Sequence, residues 1–109
     1  MKLKEQRIAI AEACGWRFAE TGPQGKWWAP PKGEKFVATL YERLPDYLND
    51  LNAMHEAEKH LRSLYPRDEF HEFGYQLEEI MTRDEERVWH ATAPQRAEAF
   101  LRTLGKWIE

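Results

Sequence analysis

The sequence predicts an α+β fold: a small, mostly antiparallel sheet packed with about four helices, sandwich-like, in the order α-β-β-(β)-α-α-β-α. Three observations predict it. Apolar residues recur at helical spacing in four separate stretches. Two aromatic-rich stretches are joined by the turn sequence Gly22-Pro23-Gln24-Gly25. A capping pattern, Thr92-Ala93-Pro94-Gln95, opens the last helical stretch. A chain of 109 residues has room for one core, so 1–109 is read as a single domain.

The first helix runs from about residue 2 to 14, with Leu3, Ile10 and Cys14 near one face and Ile8 and Ala11 widening it. Gly15 supplies the left-handed position that commonly ends a helix. Trp16–Ala19 and Trp27–Ala29 read as the two strands of a hairpin, stopped by Pro30-Pro31. Phe36–Tyr41 is a third strand or a loop. Pro45 disfavours helix at Leu44, and Asn49 or Asp50 caps a second helix. Leu51, Met54, Ala57, Glu58 and Leu61 follow its period, Glu58 being the one polar member. Pro66 ends that helix or opens the next. The third helix, about 67 to 82, carries Phe70, Phe73, Leu77, Ile80 and Met81 on one side. Arg87–Ala91 reads as a strand. The last helix buries Ala97, Phe100, Leu101, Leu104 and Ile108, and Gly105 ends or weakens it.

Composition excludes several function classes. The net charge of −3 argues against a duplex nucleic-acid binder, which normally presents a basic stripe. No stretch approaches the roughly 18 consecutive apolar residues of a membrane span. The N-terminus has no apolar signal core, so a cytoplasmic location is expected by default. Cys14 is the one cysteine, which rules out an internal disulfide and any multi-cysteine zinc site.

No catalytic residue, metal site or cofactor is expected. His55 and His60 lie about 140° apart around a helix and cannot easily share an ion. Glu56 and His60 are four apart and could, but two ligands do not make a site. Cys14 sits at a helix C-terminus, where the dipole disfavours a thiolate. The acid pairs Asp68-Glu69 and Glu78-Glu79, and the triplet Asp84–Glu86, fit a solvated face better than a glycosidase dyad.

The aromatics carry the functional reading. Trp27 and Trp28 in one strand point to opposite faces, so one enters the core and the other is partly exposed. Lys26, Tyr41, Arg43 and Tyr47 are near enough in sequence to complete a pocket offering stacking and phosphate contacts. The plainer alternative is that both indoles pack under helices or at a subunit interface.

Three segments, Ile8–Trp16 (IAIAEACGW), Leu44–Glu56 (LPDYLNDLNAMHE) and Ala91–Leu101 (ATAPQRAEAFL), resemble in order and spacing the phage "ABA sandwich" domain family, small proteins of bacteriophages and prophages. The resemblance spans most of the chain; the hairpin and the third helix fit least. It implies an α/β sandwich and a phage-derived origin, and brings no agreed activity. The resulting expectation is a non-enzymatic binding protein of the host bacterial cytosol. Its sharpest form is a sponge for a nucleotide-derived defence signal, with Trp28, Arg43, Tyr47, Asn49 and Arg96 as ligand contacts and a homo-oligomer as the assembly. The alternative is a structural or interaction protein acting through a homo-oligomer or partner interface.

Overall fold

The computed structural model describes residues 1–31, 39–64 and 68–109, leaving the side chains at 20, 64 and 68–70 aside. Helix α1 is Leu3–Ala13, strands β1 and β2 are Arg17–Gly22 and Gly25–Ala29, and β3 is Thr39–Leu40. A 3-10 turn, Tyr41–Arg43, leads to α2 (Leu51–Leu64) and α3 (Asp68–Arg83), and a second 3-10 turn, Val88–His90, precedes α4 (Ala93–Thr103). The strands form one antiparallel sheet in the order β1-β2-β3. The α+β class and the four helices stand as the sequence predicts.

Helix α4 is the hub of the helical layer, packing against α1, α2 and α3. Its small residues Ala93, Ala97 and Ala99 let neighbours approach, and Phe100 and Leu101 fill the space between them. Thr92 and Gln95 form the expected capping box: Gln95 N–H donates to Thr92 Oγ1 and Thr92 N–H to Gln95 Oε1. Asp50 caps α2 by accepting the Asn52 and Ala53 N–H groups.

In the hairpin, Phe18 pairs with Trp28 but Glu20 with Trp27, so Ala19 is an extra, bulged residue. Trp28 is buried among core residues, with Phe18 edge-on to it at 5.8 Å between ring centroids. Trp27 is half-buried, and its indole lies against Gly22: a Cβ there would stand 3.0 Å from the Trp27 Nε1. Gly15 has φ +102, and a Cβ on it would meet Pro31 Cβ at 3.2 Å. The end of α1 thus lies close against the end of β2.

Several expectations are corrected. Arg87–Ala91 is not a strand. It closes on itself through His90 N–H to Arg87 O and Ala91 N–H to Val88 O, the 3-10 pattern, and among the described residues no strand pairs with it. The third strand is only Thr39–Leu40, and Tyr41 already belongs to a 3-10 turn; Phe36–Ala38 lie outside the described residues, as do Pro66 and the Phe70 side chain. Ile108 is exposed, since α4 stops at Thr103 and Gly105 turns the chain with φ +69. Leu3, in the first turn of α1, is likewise exposed.

Candidate functional site

Two pockets flank α1. The first lies where α1 meets the hairpin and the Tyr41 turn. It measures about 300 Å³ and is lined by Lys4 and Ile8 from α1, Gln24–Lys26 and Trp28 from the hairpin, and Leu40–Glu42. Lys4 and Ile8 are four residues apart and so share a face of the helix. The two-residue turn at Pro23-Gln24, closed by Gly25 at φ +123, sets Gln24 and Lys26 at the rim.

Arg7 braces the turn that borders this pocket. Its guanidinium donates to the carbonyls of Glu42, Leu44 and Pro45, holding the 3-10 turn and the bend after it against α1. The same group lies 4.7 Å from the Tyr41 ring centroid, and Lys4 Nζ lies 5.1 Å from it. Tyr41 is thus fixed in place by two cations before any ligand arrives.

Trp28 supplies the opposite chemistry. Its Nε1–H is buried without a hydrogen-bond partner among the described residues, and so is Oγ1 of Thr39, the residue that pairs with it across β2 and β3. A buried indole N–H left unbonded costs on the order of 1–3 kcal/mol. The pocket lining therefore holds two lysines against one glutamate, two aromatic rings, and a residue with an unused buried donor.

The second pocket, also about 300 Å³, lies on the other flank, between the end of α1, Pro31, the Pro45–Tyr47 bend and α2. Its lining holds Cys14, Trp16 and Tyr47 together with Ala53, Glu56, Ala57 and His60. Tyr47 is buried, with its hydroxyl near the Cys14 thiol and the Trp16 indole. Burial pushes the Cys14 thiol up to about 11, against the smaller opposing effect of the Tyr47 hydrogen bond. Burial likewise raises Tyr47 far above the usual phenol range, with Cys14 adding to it. Neither group is primed as a nucleophile.

The five sequence-predicted contacts do not converge. Trp28 lines the first pocket, joined there by Lys26 and Tyr41, which the sequence also singled out. Tyr47 lines the second. Arg43 is exposed on the 3-10 turn outside both linings. Asn49 is exposed, with its amide donating to the Asp46 carboxylate. Arg96 is held in the fold: its Nη1 donates to Glu58 Oε1 at 2.7 Å, with both side chains largely buried between α2 and α4. Glu58, the polar member of an apolar helix face, is thereby explained.

Sequence reasoning missed Lys4 and Gln24 in the first pocket; in the second it named Tyr47 and weighed Glu56 with His60 but did not join them to Trp16, Ala53 and Ala57. Lys4 carried a readable signal, standing one turn before Ile8 on the same helix face. The second pocket joins residues from 14 to 60 and left no local pattern. Among the described residues, no group of three or more His, Cys, Asp or Glu side chains converges to hold a metal ion. No described helix is long and apolar enough to cross a membrane. Compared with family models, curated proteins and solved structures, the chain gives no match.

Proposed function

We propose that this chain is a non-enzymatic binding protein that holds a small aromatic anion, of the nucleotide class, in the pocket formed by Lys4, Lys26, Trp28 and Tyr41. The observation that carries the reading is a pocket flanked by two lysines and lined by Trp28, whose indole N–H is buried and unpartnered among the described residues. A ligand acceptor would satisfy the indole donor, and a phosphate would take charge-assisted bonds from Lys4 and Lys26. At about 300 Å³ the pocket matches a mononucleotide or one half of a larger dinucleotide. A cyclic dinucleotide would need a second subunit to enclose it. The resemblance of three segments to a phage family supports a phage or prophage setting, in which such a binder would sequester a host nucleotide-derived signal.

Calorimetry against nucleoside monophosphates, ADP-ribose and cyclic dinucleotides tests the reading. Binding of at least one, weakened roughly tenfold or more by Lys26→Ala, is expected. No binding across the panel would sink it.

One observation favours the interaction alternative. Trp89 is 71% exposed and is braced by the Arg87 guanidinium at 5.3 Å and the His90 ring at 6.0 Å. Exposed Trp–Arg pairs are the residue types that anchor interfaces. Light scattering of the wild type and Trp89→Ala decides it: a concentration-dependent oligomer lost in the variant supports the interface, and a strict monomer removes it.

A further inference from the structure

The second pocket differs from the first in charge and in what its walls have left to offer. We infer that the pocket between α1, Pro31 and α2 is a separate binding site for a small organic amine with an apolar ring, chemically opposite to the anion site. Its walls are Pro31, Pro45, Ala53 and Ala57, which give an apolar body something to pack against. Trp16 and Tyr47 add two aromatic side chains. Both rings offer π surface to a cation. Tyr47 and Cys14 are buried, so this wall is packed without a ligand.

The groups still open to a ligand are Glu56 and His60, one turn apart on α2. Among the described residues, Glu56 is the only one in the lining with a full charge at neutral pH when histidine is counted neutral, and no described lysine or arginine lines the pocket. A protonated amine matches a carboxylate, an imidazole acceptor and aromatic walls, whereas a phosphate or carboxylate ligand would meet only repulsion from Glu56. Lys59 competes for Glu56 at 3.0 Å, but both side chains are more than two-thirds exposed, so that pair is weak and exchangeable. A volume of about 300 Å³ accommodates one or two fused rings with a two-carbon arm.

The test uses the full chain and three probes: phenethylamine, tryptamine and the neutral isostere 2-phenylethanol. Titration followed by calorimetry and by the Trp16 indole resonance should show both amines binding and the alcohol about threefold weaker. Glu56→Gln, a change on an exposed side chain, should weaken the amines about threefold and leave nucleotide binding unchanged. Ala53→Leu, which fills the pocket without touching the carboxylate, should weaken all three probes. Absence of amine binding, equal affinity for amine and alcohol, or no effect of Glu56→Gln would each overturn the assignment. Lys26→Ala separates the two sites: it should weaken only the anion response, so failure of one site does not decide the other.

Discussion

Breaking the Glu58–Arg96 pair distinguishes most sharply between a ligand contact and a structural one. The side chains are 13% and 19% exposed, and their charged atoms approach to 2.7 Å between α2 and α4. Glu58 Oε2 and Arg96 Nε have no partner among the described residues, so the pair is incompletely satisfied. Burial raises the Glu58 carboxyl above the ordinary range despite the opposing pull of Arg96. Arg96→Met leaves that carboxylate buried alone, which should cost about 2–4 kcal/mol at neutral pH. A raised folded-state value means that the stability Glu58 contributes is full at acidic pH and lost as pH rises through that value. Without Arg96 the value rises further. The cost of Arg96→Met should therefore be greatest near about pH 8 and shrink towards about pH 5. The double variant Glu58→Met with Arg96→Met should recover most of the loss, ending within about 1 kcal/mol of the wild type. Urea denaturation of the four proteins at both pH values measures this. A cost below about 1 kcal/mol at both pH values, or one that is additive with Glu58→Met, would refute the reasoning. Loss of nucleotide binding with stability unchanged would restore Arg96 as a ligand contact.

Glu98 should behave in the opposite sense. Its burial is outweighed by hydrogen bonds from Arg83 and Arg102, which hold its carboxyl below the ordinary range. Glu98→Gln should cost about 1–2 kcal/mol at neutral pH, discounted because Arg83 is half-exposed, and that penalty should vanish as pH falls through the native value. Gly15→Ala should cost about 1–3 kcal/mol in denaturation, because it forces a side chain to φ +102 and against Pro31. A neutral result would mean that the α1–β2 junction yields readily. In the native protein Cys14 should react with a thiol reagent at least about a hundredfold more slowly than a free cysteine at neutral pH, and unfolding should remove the difference.

The helices were legible because periodicity and caps are local. Thr92 with Gln95, Asp50, and the apolar series Phe73, Leu77, Ile80 and Met81 each stand within one element. The segment Arg87–Ala91 misled because Val, Trp and His in alternation suit a strand only where a sheet edge is available, and whether one is available is a tertiary fact. Trp28 and Tyr41 were recognisable as pocket residues from their type and neighbours. Arg96 was misplaced because a sequence cannot show that Glu58, 38 residues earlier, faces it across a helix interface.

Each Trp indole N–H gives its own resonance in a ¹⁵N-correlated spectrum, and Trp28→Phe identifies the one that matters. Addition of the tightest-binding nucleotide should shift the Trp28 Nε1–H resonance downfield, as its vacant hydrogen bond is made, while the exposed Trp89 stays in place. A Trp28 resonance unmoved at saturating ligand, or a response confined to other indoles, would contradict the account.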